Sequence, residues 1–208
     1  LRLQPTSEIT GTVFLPDGVT PAGENVIVRY KSEAFKVFCA EDDFGDTVCQ
    51  TIPQGIQEEV VVTETNGRFR LPIVNAGAFT ITAEDQASGR IATFKGSVKA
   101  GESADFAVRL LGLSDVVVRV YAANRDAQGN PVPIPGARVE VEQIEAPKRK
   151  LTRTTGSDGA DTGVARFAGG DAFSEGDLIV RATDLRNGFV GRASGRVTVG
   201  DATVTVDL

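Results

Sequence analysis

The 208-residue chain contains no histidine, no tryptophan and no methionine. Without histidine there is no imidazole general base, no Ser-His-Asp or Cys-His constellation and no imidazole metal ligand. Without tryptophan, and with two tyrosines, the amphipathic rings that serve sugar-binding faces and protein hot spots are scarce. No apolar run approaches the ~20 residues of a membrane-spanning helix. No signal peptide is visible, and no hydrophobic period of 3.6 residues persists for a useful length. The absence of methionine, initiator included, leads us to expect a segment of a longer or processed protein, so the missing targeting signal carries no information. Basic residues are also short, 22 Lys and Arg against 28 Asp and Glu for a net charge of −6. That balance argues against nucleic acid as a partner, because phosphate binding needs a basic surface.

What remains is strand-forming. Hydrophobic content of 41% is enough to build cores, and the length suits one large or two ordinary domains of roughly 100–150 residues. The stretch Thr65 to Asp85 shows the pattern best. Asn66-Gly67 supplies residues that tolerate positive φ in a turn. Phe69 and Leu71 then alternate with Arg68 and Arg70. Pro72 ends that strand or puts it at a sheet edge. After Asn75-Ala76-Gly77, Phe79, Ile81 and Ala83 alternate with threonines and Glu84. The whole reads as a core hairpin.

Similar segments lie on either side. Glu8 to Leu15, broken by a turn-permissive Gly11, and Asn25 to Tyr30 precede it. Glu58 to Thr65 leads into it. Arg90 to Val98, with Phe94 off phase as at a bulge, and Ala104 to Leu110 follow. About seven strands over roughly 100 residues is the content of a β-sandwich. The pattern then restarts at Asp115. Val139 and Val141 repeat Val28 and Tyr30, Gly163 to Phe167 mirrors Gly67 to Leu71, and Leu178, Val180 and Ala182 match Phe79, Ile81 and Ala83. Asn187-Gly188 matches Ser88-Gly89, and Val204 and Val206 match Phe106 and Val108. The expectation is an all-β chain of two tandem seven-stranded Greek-key sandwiches, 1–112 and 113–208, joined by Leu111 to Ser114. The first half carries ten basic against fifteen acidic residues, the second twelve against thirteen.

Cys39 and Cys49 have nine residues between them. They do not form a CxxC motif, and no second pair completes a zinc site. The reading preferred is a disulfide closing a short hairpin in an oxidising, extracytoplasmic setting, worth about 3 kcal/mol by loop entropy. The alternative is two thiols in a reducing compartment. Between Lys31 and Gln57 the alternation loosens, and an inserted hairpin or long loop is expected there, its return strand ended by Pro53 and Gly55.

The order Gly11-Thr-Val, Pro16-Asp-Gly-Val-Thr-Pro-Ala-Gly-Glu-Asn-Val, Thr65-Asn-Gly-Arg-Phe-Arg-Leu-Pro and Ala76-Gly-Ala-Phe-Thr-Ile-Thr-Ala resembles the carboxypeptidase regulatory-like domain over residues 9–110. That resemblance implies a prealbumin-like (transthyretin-like) sandwich, with the cysteine-bearing insertion as a departure from the short family form. Residues 115–208 resemble the same Ig-like superfamily or the Cna-B repeat of surface proteins, through Gly159 and Gly163-Val-Ala-Arg-Phe167. The family implies non-catalytic spacers, stalks and assembly modules of secreted or surface proteins. It brings no catalytic residues and no cofactor. Some Cna-B repeats carry Lys–Asn isopeptide bonds, but the lysines of the second module, Lys148 and Lys150, lie mid-module and neither module's last strand holds an Asn.

The candidate site is the acidic tip Glu41, Asp42, Asp43 and Asp46, a weak candidate for a binding loop. It lacks the ligand spacing of an EF-hand, so a solvated loop is the simpler reading. Glu58 and Glu59 are adjacent on a strand and point to opposite faces, so they cannot converge on a substrate. Lys148-Arg149-Lys150 reads as an exposed hairpin tip. The resulting expectation is a non-enzymatic structural or adhesin segment without metal or cofactor, extracellular, surface-borne or periplasmic. The alternative is a module binding carbohydrate or protein through loops 31–57 and 127–136.

Overall fold

Alternation becomes strand wherever it occurs, because period 2 puts every second side chain on the same face. The computed structural model describes residues 6–41, 45–145, 147–198 and 202–207. Its contacts divide the chain into two compact units, Leu1–Leu110 and Leu111–Leu208.

Unit 1 has seven strands: β1 (Thr6–Phe14), β2 (Val26–Glu41), β3 (Thr47–Val62), β4 (Arg68–Asn75), β5 (Gly77–Asp85), β6 (Arg90–Val98) and β7 (Ser103–Arg109). They form two sheets, β4-β1-β7 and β3-β2-β5-β6. Ile9, Phe69, Leu71 and Val108 from the first sheet meet Val28, Tyr30, Phe79 and Ile81 from the second in one buried core. Each such side chain contributes roughly 1.5–3 kcal/mol when fully buried. Phe79 centres an aromatic group, 5.6 Å from Tyr30 and 5.4 Å from Phe106.

Unit 2 comprises β8 (Leu113–Ser114), β9 (Val116–Arg125), β10 (Pro131–Pro133), β11 (Arg138–Gln143), β12 (Arg149–Thr154), β13 (Val164–Phe167), β14 (Phe173–Ser174), β15 (Gly176–Thr183), β16 (Val190–Val197) and β17 (Ala202–Asp207). One sheet runs β10-β9-β13, with β17 on the other edge of β9, and another runs β12-β11-β15-β16. Val116, Val118 and Phe167 pack between them on Val139, Val141 and Val180. The joint residues belong to this unit. Gly112 N–H donates to Glu175 Oε1 at 2.8 Å, β8 pairs with β14, and Ser114 Oγ donates to the Thr198 carbonyl at 2.8 Å.

The pairing plan of unit 1 recurs strand for strand. β9, β13 and β17 pair as β1, β4 and β7 do. β11, β12, β15 and β16 pair as β2, β3, β5 and β6 do. In both units the first long strand and the last are neighbours and run parallel: Glu8↔Ser103 through Phe14↔Arg109, and Ala202↔Val116 through Asp207↔Tyr121.

Several local expectations need correcting. Thr65 to Asp85 is not a hairpin: β4 pairs with β1, whereas β5 pairs with β2 and β6, so the chain changes sheet at Ala76. Periodicity shows which face a strand buries, but it does not identify the strand's partner. Of the two expectations for Pro72, the sheet edge holds and the strand end does not. Pro72 lies where the β1–β4 register slips, on an edge strand that tolerates a missing N–H. Gly11 lies within β1, as the alternation of Glu8 to Leu15 implies; a Cβ there would meet the Phe69 ring at 2.5 Å. Phe94 is in phase with buried Ala92 and Val98, β5 and β6 pair without a register shift, and Ile91 faces the other way.

Candidate functional site

Of the two expectations for 31–57, the hairpin holds and the long loop does not: among the described residues β2 runs on to Glu41 and β3 starts at Thr47. β2 and β3 stay paired from Ile27↔Val62 to Glu41↔Thr47, with one register slip between Glu33 and Phe35. Pro53 and Gly55 do not stop β3, again because β3 is an edge strand. The neighbouring β5 accompanies β2 only as far as Ser32↔Phe79. Beyond that point the hairpin continues as a two-stranded ribbon. Cys39 and Cys49 are opposed in register near its end and form a disulfide, in keeping with the sequence reading. An isolated ribbon of two strands is marginal in water, which gives the cross-link a local task.

At the tip, Glu41 closes β2 and Asp46 precedes β3, both exposed. Asp42 and Asp43 lie outside the described residues. Among the described residues no three His, Cys, Asp or Glu side chains gather as metal ligands would. No helix is long and apolar enough to cross a membrane.

The second expected loop, 127–136, is a short β9–β10 hairpin rather than an open loop. Asp126 Oδ1 accepts the backbone N–H groups of Gln128 at 2.9 Å and Asn130 at 2.7 Å, and Asn130 Nδ2 donates to its Oδ2 at 3.1 Å. The Asn130 backbone and side-chain donors hold the Asp126 carboxyl below the usual range. Asp17 is held low in the same way, first by the Thr20 hydroxyl. Asp184, 2% exposed, accepts from the Arg186 backbone, Nε and Nη2 and from Asn187 Nδ2. The Arg186 side chain is the largest cause of its depressed pKa. These acids spend their lone pairs on their own turns and are not poised for proton transfer.

Glu58 and Glu59 face apart as expected: Glu58 pairs with Lys31 Nζ at 3.2 Å, whereas Glu59 accepts from Gln57 at 3.4 Å. Lys148-Arg149-Lys150 is a tip only in part. Arg149 turns inward, donating to the Ala172 carbonyl at 2.7 Å with its guanidinium 5.8 Å from the Phe173 ring centre. Arg153 lies over Phe167 at 6.0 Å and pairs with Asp171. Strand alternation, legible once β12 is placed, puts Lys150 on the opposite face from Arg149.

Sequence reasoning missed a buried threonine in each unit. Thr63 Oγ1 accepts the Val26 N–H at 3.1 Å and donates to the Gly23 carbonyl at 2.7 Å. Thr155 Oγ1 accepts the Ala137 N–H at 2.9 Å and donates to the Ile134 carbonyl at 2.8 Å. Both are 4% exposed. Each hydroxyl ties the loop before the second core strand to the strand paired with it. The signal available was a Thr directly after the last residue of the corresponding strand in both halves, Val62 and Thr154.

No protein family and no curated protein matches the sequence. Solved structures share the fold. A minor pilin of Streptococcus agalactiae aligns over 97% of this chain and 94% of its own at 14% identity, with a TM-score of 0.51. A streptococcal ancillary pilin aligns over 97% of this chain and 62% of its own at 11% identity and a TM-score of 0.45. The shaft pilin SpaA of Lactobacillus rhamnosus GG aligns over 97% of each chain at 9% identity and a TM-score of 0.32. The first of these carries the comparison, and at such identity what it shows is the β-sandwich fold.

Proposed function

We propose that the chain is a non-catalytic, tension-bearing segment of a cell-surface or secreted protein, built of two modules, 1–112 and 113–208, that act as stalk, spacer or adhesin segment. The observation that carries this is the parallel pairing of first and last strands, β1 with β7 and β9 with β17. Tension on the two ends of a unit pulls such strands in opposite directions along their length. All the bonds between them are then sheared together instead of opening one at a time. The fold shared with a minor pilin agrees with this reading, as does a disulfide, which persists in oxidising settings.

Single-molecule stretching of the chain from its two ends tests the reading. Two separate rupture steps are expected, each releasing on the order of 350 Å at about 3.6 Å per residue. Reduction of Cys39–Cys49, ten residues apart, lengthens one of them by about 35 Å. Handles on Ala78 and Ser97, opposed in the antiparallel β5–β6 ladder, unzip unit 1 and define a low-force reference. One merged step, or rupture from the ends no harder than that reference, overturns the proposal.

A second reading keeps the ribbon as a binding element for a carbohydrate or protein partner, with the β9–β10 hairpin beside it in the argument. It is favoured by the extension of β2 past β5, which leaves ribbon edges without a neighbour among the described residues. A glycan array and pull-down with the ribbon cut back to Ser32 and Gln57 discriminate: retention of full binding by the shortened protein sinks it.

A further inference from the structure

The outer face of the β12-β11-β15-β16 sheet sets two like charges side by side. Register places Arg181 of β15 directly opposite Arg192 of β16, and both are exposed. Like charges so opposed destabilise a sheet. Glu140 stands on the other side of Arg181 in the register, but its carboxylate is taken by Arg138 Nη2 at 2.8 Å and Lys150 Nζ at 3.8 Å. Among the described residues neither the Arg181 nor the Arg192 side chain has an ion pair or hydrogen bond. The two arginines, with Glu140, Glu142, Lys150 and Ile179, line a shallow hollow of ≈ 230 Å³. Ile179 is 43% exposed there.

We propose that this hollow receives an acidic polypeptide segment, one carboxylate lying between Arg181 and Arg192 and a neighbouring apolar side chain resting on Ile179. The guanidinium fork matches a carboxylate bidentately, and a carboxylate between the two cations turns their repulsion into attraction. Polypeptide is favoured over glycan because no aromatic ring lines the hollow for a sugar to stack on. An exposed isoleucine two residues from Arg181, on the same face, instead suits an extended segment with an apolar residue two positions from the acidic one, since period 2 puts those two on one face. Glu142, opposite Lys150 in register, lines the near wall and disfavours a second carboxylate.

Fluorescence anisotropy with a labelled peptide of repeating Glu-Ser-Leu-Ser, which puts Glu and Leu on one face when extended, tests this on the full chain, with a labelled galacturonic acid oligosaccharide as the glycan arm. The peptide is expected to bind, to lose tenfold or more in affinity with Arg181→Ala/Arg192→Ala, and to weaken as salt is raised. Glu142→Gln is expected to tighten it, an outcome that a merely structural role for these residues does not produce. Circular dichroism confirms that each variant is folded. Equal peptide binding by wild type and the double variant, no peptide binding at all, or binding of the oligosaccharide in place of the peptide overturns the proposal.

Discussion

The hairpins β2–β3 and β11–β12 occupy the same place in their sheets. Each supplies the strand beside β5 or β15 and the edge strand beyond it. The strands of the first are 16 residues each, those of the second six. Where the two coincide, their inward residues coincide too: Val28, Tyr30 and Ser32 face Ala83, Ile81 and Phe79, as Val139, Val141 and Gln143 face Ala182, Val180 and Leu178. Past Ser32 nothing in unit 2 corresponds to the ribbon, and there the disulfide appears. Burial against a second sheet constrains a strand, and once that constraint ends the chain diverges. What the units share is the inward face of these strands; they differ in the ribbon and in the residues that point outward.

Replacing Phe167 by Ala breaks the comparison hardest. Phe167 is fully buried, 5.8 Å from Phe173 and under Arg153. Loss of about 3–5 kcal/mol is expected, confined to unit 2, with unit 1 retaining its own transition in two-probe denaturation. A joint loss of both transitions would show that the units do not fold separately.

Next come the paired threonines. Thr63→Val and Thr155→Val keep the shape and remove one hydroxyl, leaving a buried N–H and a buried carbonyl without their partner. Each is expected to cost about 1–3 kcal/mol, and the two costs should match because the geometry does. A large cost in one unit and none in the other would refute the equivalence.

The cysteine pair sharpens the contrast between the hairpins. In Cys39→Ala/Cys49→Ala, hydrogen exchange should lose protection in 33–41 and 47–56 while β1, β5 and β6 keep theirs. The unit's unfolding midpoint should move far less than the about 3 kcal/mol expected if closing this loop constrained the whole unit. Full loss of that amount would mean that the ribbon folds cooperatively with the sandwich.

Acid titration separates unit 2 from unit 1 more gently. The Asp184 carboxyl is held low by Arg186, so its folded pKa lies below its unfolded value near 3.9. The folded state then binds fewer protons, and the contribution of Asp184 is present above that value and lost as pH falls through the folded pKa. Asp184→Asn should lower stability at pH 7, and the gap to wild type should narrow below about pH 4. A gap that is constant with pH would assign the effect to the hydrogen bonds alone.

Much of the fold was legible because its signals are local. Alternation found Phe69, Leu71, Ile81 and Val180, and the recurrence of Gly67-Arg-Phe as Gly163-Val-Ala-Arg-Phe marked the same junction twice. The structure shows why the glycine recurs: at φ +74 and +71 a Cβ would meet Val13 O at 2.8 Å and Val120 O at 2.9 Å. Partner choice was not legible. Nothing in Asn75-Ala-Gly77 distinguishes a hairpin turn from a crossing between sheets. Strand length was misjudged at Pro53, because a proline's cost depends on whether its strand is at an edge. The candidate site fared worse, since Arg181 and Arg192 are eleven positions apart and meet only through the β15–β16 register. Isolated arginines on outward positions look alike until pairing is known.

That pair gives the finest test, because unit 1 holds a natural control. In the shared pairing plan, Thr82 and Thr93 of β5 and β6 stand where Arg181 and Arg192 stand in β15 and β16. Nearby, Arg29 is answered by Glu84 at 2.7 Å and Lys31 by Glu58 at 3.2 Å, so these two cations of that face have partners. Converting unit 2 to the unit 1 pattern, Arg181→Thr/Arg192→Thr, removes a like-charge contact and installs a favourable cross-strand threonine pair. Unit 2 should gain about 0.2–1 kcal/mol. The gain should shrink as salt rises, since screening already relieves the wild-type repulsion. A gain would show that the arginine pair is not there to stabilise the sheet. If the double variant is instead less stable, the arginines support the sheet, and the case for an acidic ligand between them loses its physical basis.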